Sequence, residues 1–183
     1  MISSDAFAGS TSVSAAITSD RQEDDLGVPQ STKITLGAAH AFDMGVILGA
    51  SVEYSDTAFK DSATTNLEAT LGYRLHVNDD LSLIGSVGLG GRFQSEGTGD
   101  DIAYYVLRAG ADWDITDTVT WNAVAFRYRD GFKTSDDYLT PQLATGVSFK
   151  IDEHNSISTR VEYNWKDWTP NTVGFAVGFG HTF

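Results

Sequence analysis

Apolar and polar residues alternate with a period of two along most of the 183 residues. Between Val46 and Tyr54, one parity carries Val, Leu, Ala, Val and Tyr, and the other carries Ile, Gly, Ser and Glu. This is the pattern of a β-strand with two unlike faces. It recurs in ten segments, so the sequence predicts ten strands. They span residues 7–18, 32–42, 46–54, 67–75, 81–93, 105–113, 119–129, 143–151, 157–165 and 173–183.

The seventh predicted strand is less regular than the others. With Val124, Phe126 and Tyr128 on the apolar face, strict alternation places Trp121 on the polar face and Asn122 on the apolar face. The parity of this strand near residue 121 is therefore open.

The connections between predicted strands alternate in length. Short turns lie near residues 43, 79, 116 and 152, about one every 36 residues, which indicates a repeated two-strand hairpin. The longer connections cover residues 20–30, 55–64, 95–101, 130–139 and 166–171. We therefore expect an up-and-down antiparallel sheet with short turns at one end, longer loops at the other, and both termini at the short-turn end.

The large apolar side chains and the small polar ones occupy opposite faces of the predicted sheet. Strands of about 9–12 residues are long enough to cross a hydrocarbon core when tilted. A face of glycine, serine and arginine cannot form the core of a water-soluble barrel, but it suits the narrow polar lumen of a membrane barrel. The sequence thus predicts one domain, residues 1–183, that closes into a ten-stranded transmembrane β-barrel. Its inward glycines are Gly37, Gly49, Gly72, Gly88, Gly90, Gly110, Gly146, Gly174, Gly178 and Gly180.

Aromatic residues of the apolar face concentrate at strand ends, as in the interfacial girdles of membrane barrels. Those near the short turns are Phe7, Phe42, Tyr73, Trp113, Phe149, Phe179 and Phe183. Those near the longer loops are Tyr54, Phe93, Tyr105, Tyr128, Tyr163 and Trp165.

Composition excludes several classes of function. A formal net charge of −13 argues against nucleic-acid binding, which needs a basic surface. The absence of cysteine excludes disulfides, zinc ribbons, iron–sulfur clusters and thiol catalysis. We expect no metal and no cofactor. No basic start followed by an apolar core is visible at Met1, so we expect no signal peptide within these residues.

The last predicted strand alternates without interruption from Val173 to the terminal Phe183. In this strand, and in its whole pattern of strands and turns, the chain resembles bacterial outer-membrane β-barrel proteins. The resemblance implies an outer-membrane location with periplasmic short turns and extracellular loops. It also implies that the lipid bilayer, lipopolysaccharide and the barrel-assembly machinery are partners. The assembly signal would consist of Phe175, Val177, Phe179 and Phe183, and His181 departs from the family's usual residue type.

Parity directs most of the basic residues of the chain into the lumen. The predicted lumen-lining charges are Lys33, Arg74, Arg92, Arg108, Arg127, Arg129, Lys150 and Arg160, with Glu53, Glu68, Asp112, Asp114 and Glu162. In a lumen this narrow, such charges either pair into a plug or line a narrow, anion-favouring pore for small ions or solutes. The sequence leaves both open. The expected function is accordingly a narrow, charge-lined, porin-like channel or a structural membrane barrel.

Two other functions were weighed. Surface recognition or adhesion would use the loops, where Phe59, Phe132, Tyr138 and Trp168 offer contacts. These loops are acidic through Asp20, Glu23, Asp24, Asp25, Asp56, Asp61, Glu96, Asp100, Asp101, Asp130, Asp136 and Asp137. For an outer-membrane hydrolase, the resemblance implies catalytic residues at the loop end, usually including a histidine base. His40, His76, His154 and His181 all map to the short-turn end, so we expect no catalytic residues and no enzyme.

Overall fold

A computed structural model of the chain describes residues 9–97, 99–136 and 138–183. The beginning of the first predicted strand, with Phe7, lies outside the described residues, as does Asp137. The ten strands are β1 (Gly9–Gln22), β2 (Pro29–Phe42), β3 (Val46–Thr57), β4 (Ala63–His76), β5 (Leu81–Glu96), β6 (Ile102–Thr116), β7 (Val119–Gly131), β8 (Gln142–Lys150), β9 (Asn155–Lys166) and β10 (Thr169–Thr182).

Each strand pairs antiparallel with the strands before and after it in the chain, and β1 pairs with β10. That last pairing runs from Ser12 opposite Thr182 to Gln22 opposite Thr172, and it closes the sheet. The prediction of an all-β, ten-stranded, antiparallel up-and-down barrel is confirmed. Closure gives the backbone of the first and last strands a partner on both sides, as a strand surrounded by lipid requires.

The strands extend further into the longer connections than alternation alone predicts. The link between β9 and β10 is a turn of two residues, Asp167 and Trp168, with φ angles of 51° and 61°. Two successive left-handed residues form the tight hairpin turn that matches the twist of its strands. The expectation of a longer loop over 166–171 is therefore wrong, because polar residues at the end of a strand were read as loop.

The barrel has an apolar outer surface and a polar interior. Of the described residues, ten polar or charged ones are buried, against seven apolar ones and Pro141. Large apolar side chains such as Ile17, Leu71 and Val177 point out of the sheet and stay more than half exposed. Such a surface is suited to lipid and would be unstable in water. Among the described residues, no helix is long and apolar enough to span a membrane.

A β-bulge in β7 sets the orientation of Trp121. Asn122 and Val124 lie opposite consecutive residues of β6, so Ala123 is the extra residue. Trp121 is 40% exposed, and its ring stacks on that of Trp113 with the centroids 6.5 Å apart. Asn122 instead reaches into the lumen and donates from Nδ2 to Asp112 Oδ1 at 2.8 Å. From Val119 to Asn122, strict alternation therefore assigns each side chain to the wrong face of the sheet, because the extra residue shifts the alternation by one position.

This placement predicts that Trp121 is in contact with lipid. A variant that keeps Trp121 as its sole tryptophan, with Trp113, Trp165 and Trp168 replaced by Phe, should lose most of its fluorescence in bilayers of acyl-brominated lipid. The matching variant with Trp113 alone is the positive control. Quenching of Trp121 by aqueous acrylamide, and not by the brominated lipid, would contradict the bulge.

Candidate functional site in the lumen

The lumen has two unlike halves. Toward the short turns, the walls are mainly glycine, serine, alanine and threonine, and they enclose a cavity of about 630 Å³. Toward the longer loops, the inward positions carry charged, amide and aromatic side chains that are mostly buried. The lumen is therefore open in one half and filled in the other, a difference that follows directly from side-chain size at the inward positions.

Arg129 stands at the centre of the filled half and is only 5% exposed. Its Nη1 lies 3.3 Å from Glu53 Oε1, and its Nη2 forms an ion pair with Glu68. Arg108 forms a second ion pair with Glu68. These residues come from β3, β4, β6 and β7, so the network links one side of the barrel to the other through the lumen.

Neutral side chains complete the hydrogen bonding of this network. Asn66 donates to Glu53 Oε1 at 2.9 Å, and the hydroxyl of Tyr104 donates to Glu68 Oε1 at 3.1 Å. A buried carboxylate with two or three such partners remains ionised at a lower desolvation cost than an isolated one. The cluster is thus a compensated group of charges.

Tyr138 covers the network on the loop side. It belongs to the connection between β7 and β8, yet it is only 7% exposed, because its ring packs against Tyr104 with the centroids 5.1 Å apart. Its hydroxyl donates to Asn66 Oδ1 at 3.4 Å, and the guanidinium of Arg92 lies 5.5 Å from the centroid of its ring. The expectation that Tyr138 offers a surface contact is therefore wrong.

The segment that follows Tyr138 is held by backbone hydrogen bonds. The carbonyl oxygens of Leu139 and Pro141 accept from the amides of Asp167 and Trp165, both at 2.9 Å. The amide of Thr140 donates to the carbonyl of Arg129 at 2.9 Å. The connection is therefore attached to β7 and to the β9–β10 hairpin, which directs Tyr138 inward.

A second polar cluster lies on β8 and β9, next to β7. Gln142 donates from Nε2 to Glu162 Oε2 and Asn164 Oδ1, both at 2.8 Å. Arg160 pairs with Glu162 at 2.5 Å. Farther round the wall, Lys33 Nζ lies 2.6 Å from Asp20 Oδ2. The acids of this wall are therefore paired as well.

The sequence-predicted lumen residues fall into two groups. Eight of them line the cavity: Glu53, Glu68, Arg108, Asp112, Arg127, Arg129, Arg160 and Glu162. The others lie elsewhere. Lys33 pairs with Asp20, Arg92 lies over Tyr138, and Arg74 lines a separate hollow at the short-turn end. Asp114 and Lys150 are exposed at that same end.

Asp20 is the clearest site residue that sequence reasoning misassigned. It was expected in an acidic loop, but it lies inside β1 and is buried against Lys33 and Ser31. Its parity matches that of Ser14 and Thr18, which is the signal that could have identified it. The alternation of apolar and polar residues is not visible at Asp20, because the outward residues beside it, Ser19 and Arg21, are polar as well.

Gly90 shows that glycine does not always leave empty space. A Cβ atom at Gly90 would lie 2.4 Å from the ring of Tyr104, so the ring occupies the volume that glycine leaves free. Gly90 thus makes room for the Tyr104 ring, and this ring helps to fill the lumen at that level.

The described residues contain no group of three or more side chains suited to a metal ion. His154 and His181 approach each other at the short-turn end, with ring centroids 6.0 Å apart. Ser82 and His76 make a hydrogen bond of 2.9 Å, but both are exposed or half-exposed at that end and lie outside the cavity.

Solved membrane barrels share this architecture. An outer membrane channel from Pseudomonas putida F1 matches with a TM-score of 0.60 and 9% identity, covering 100% of both chains. The β domain of the Bordetella autotransporter BrkA has a TM-score of 0.59 and 12% identity, covering 95% of this chain and 99% of that one. The NanC porin has a TM-score of 0.56 and 8% identity, covering 92% and 98%. At such identities the likeness concerns the fold alone.

Sequence comparison with characterised proteins finds no match. The model of one family, described as the outer membrane protein beta-barrel domain, matches residues 3–183. That match covers almost the whole chain and agrees with the closed barrel and its apolar outer surface. The chain therefore belongs to the outer membrane protein beta-barrel domain family and is a protein of the bacterial outer membrane.

Proposed function

We propose that the protein is a narrow, charge-lined channel of the outer membrane, constricted near its longer loops by the Arg129 network and Tyr138. The observation that carries the proposal is the cavity of about 630 Å³, lined by small residues and by charged ones, that leads up to this constriction. A barrel with a purely structural role has no need of such a cavity, and larger inward side chains would fill it and add packing.

The way in which the lumen is closed also favours a channel. Tyr138 comes from a loop, and its hydroxyl makes a single long hydrogen bond of 3.4 Å to Asn66. A loop can move on a time scale on which the barrel wall stays intact. Displacement of Tyr138 would remove the cover of the network without breaking any strand pairing.

The proposed orientation follows the family resemblance, with the short turns in the periplasm and the longer loops outside the cell. The cavity then faces the periplasm, and the constriction lies at the cell surface. Small ions and solutes would meet the narrowest point of the channel close to the extracellular mouth.

Surface recognition is a second candidate function. Phe59 is 89% exposed, and Phe132 and Trp168 are more than half exposed at the loop end. Phe59 and Trp168 also have left-handed backbones, at φ 60° and 61°, which hold their side chains on tight turns. Exposed aromatic side chains of this kind are common contact residues in protein interfaces.

A hydrolase has less support from the geometry. His154 and His181 lie at the short-turn end, far along the barrel from the filled half of the lumen. The structural neighbours described above are a channel, a porin and an autotransporter domain, and their likeness concerns the fold alone.

Removal of the Tyr138 ring should open the constriction. In planar bilayers, we expect Tyr138→Ala to raise the single-channel conductance several-fold over wild type, because the ring covers the narrowest part of the lumen. Phe132→Ala is the matched control, since its exposed ring lies in the same loop and packs outward on Tyr105. If inserted barrels of wild type and Tyr138→Ala are both silent, the channel proposal fails.

Loss of Arg129 should destabilise the barrel. Arg129→Met leaves Glu53 without its ion-pair partner and Glu68 with only Arg108, and removal of one member of a buried ion pair costs about 3–5 kcal/mol. The free energy of unfolding, measured by urea titration in phospholipid vesicles, reports this change. The control Lys150→Met removes an exposed cation and should change it by less than about 0.5 kcal/mol. A loss below about 1 kcal/mol for Arg129→Met would contradict the network.

The recognition candidate makes a separate prediction. Phe59→Ser combined with Trp168→Ser should reduce the adhesion of expressing cells to host-cell or matrix surfaces, while conductance stays at the wild-type value. Unchanged adhesion at equal surface expression would remove this candidate.

A further inference from the structure

Four arginines line the cavity, and among the described residues Arg127 differs from the other three because it has no ion-pair partner. It lies on β7 directly opposite Arg108 of β6, and both line the cavity. The ion pairs among the described residues join Arg108, Arg129 and Arg160 to glutamates and Lys33 to Asp20, and none of them includes Arg127.

The neighbouring acids are already engaged. Glu53 and Glu68 are bound by Arg129 and Arg108, and Glu162 is bound by Arg160 and Gln142. Among the lining residues of this layer, four arginines therefore face three glutamates. The unbalanced positive charge belongs to Arg127. Asp112, the remaining acid of the cavity wall, lies four residues beyond Arg108 on β6, which is about 13 Å along the strand.

The guanidinium of Arg127 is also short of hydrogen bonds. Its Nε atom is buried and has no acceptor among the described residues, as is also true of Arg74 and Arg129. Arg129, however, is bound to Glu53 and Glu68 through its Nη atoms, whereas the Nη atoms of Arg127 form no ion pair among the described residues. A buried charged donor without a partner is unfavourable and rare, so a partner outside the protein chain is expected to complete the site.

The cavity provides space for such a partner beside Arg127. The next inward pair toward the short turns is Gly110 opposite Ala125, and both line the cavity. Neither has a side chain that reaches across the lumen. A solute that enters from the short-turn side therefore reaches Arg127 and Arg108 without displacing a large side chain.

We infer that the lumen cavity binds a small oxyanion, a carboxylate or phosphate, through the guanidinium group of Arg127, with Arg108 beside it. The planar fork of donors in a guanidinium matches the oxygens of these groups. The inference rests on the proposed channel function and assigns it a solute class. Such an anion would be held on the open side of the constriction, next to the arginines that pair with Glu53 and Glu68.

The test uses the full chain refolded in a phosphate-free maltoside detergent. Inorganic phosphate is titrated in, and the ¹⁵N–¹H signals of the arginine Nε–H groups are followed by NMR. We expect saturable shifts of the Arg127 and Arg108 signals. In Arg127→Gln, the apparent Kd read from Arg108 should rise about tenfold or more, as expected for loss of a charge-assisted hydrogen bond.

Two further variants make the result specific. Arg127→Lys keeps the charge but loses the planar, bidentate donors of the guanidinium, so its affinity for phosphate should lie between those of wild type and Arg127→Gln. Arg74→Gln is the matched control, because Arg74 is also inward with a buried, unpartnered Nε but lines the separate hollow at the short-turn end. Its phosphate affinity should stay within about twofold of wild type, as expected for a charge remote from the site.

The folding of the variants is checked by their urea midpoints. Arg127 has no acidic partner to leave unpaired, so Arg127→Gln should unfold at or above the wild-type urea concentration. Absence of any shift at Arg127, or equal affinity in wild type and Arg127→Gln, would overturn the inference. So would an equal loss of affinity in Arg74→Gln.

The bilayer recordings separate this inference from the channel proposal. If Tyr138→Ala conducts while phosphate fails to bind, the channel stands and the anion site is refuted. If phosphate binds at Arg127 while wild type and Tyr138→Ala are both silent, the cavity binds anions but the channel proposal fails.

Discussion

The pairing of β1 with β10 is the interaction on which the rest of this structure depends. Lipid offers no hydrogen-bond partners, so an open edge strand would leave a row of amides and carbonyls unsatisfied. The closing register from Ser12–Thr182 to Gln22–Thr172 removes both edges of the sheet. Closure also separates the inner face of the sheet from the outer face. The residues that alternate along each strand then face either the lipid or the lumen.

Closure imposes an electrostatic condition on the lumen. A ten-stranded barrel is narrow, so the charges of opposite walls come close together and lose much of their water. Glu68 illustrates the result, since it accepts from Arg108, Arg129 and Tyr104, which lie on two other strands. Arg127 lines the same cavity, but among the described residues it has no ion-pair partner.

The two halves of the lumen have different physical origins. The open half results from small residues on the strands themselves, such as Gly110 and Ala125. The closed half depends in addition on a loop, because Tyr138 lies in a connection held by the backbone hydrogen bonds of Leu139, Thr140 and Pro141 and packs against Tyr104. A channel whose wall is rigid and whose cover is a loop can change its opening without losing its fold.

The sequence by itself determined the barrel. Alternation with a period of two, regular short turns and a face rich in glycine are local properties, so they indicated ten strands and an apolar outer surface. It could not place residues whose position depends on partners far along the chain. Asp20 is expected in a loop because its outward neighbours are polar, and Tyr138 is expected at the surface, but both are buried. The orientation of Trp121 stays open in the sequence because alternation does not reveal a single bulge residue. Ion pairing in the lumen joins residues up to 76 positions apart, as Arg129 and Glu53 are. Only the closed tertiary structure therefore decided which charges of the cavity wall are paired and that Arg127 lines the cavity without an ion-pair partner among the described residues.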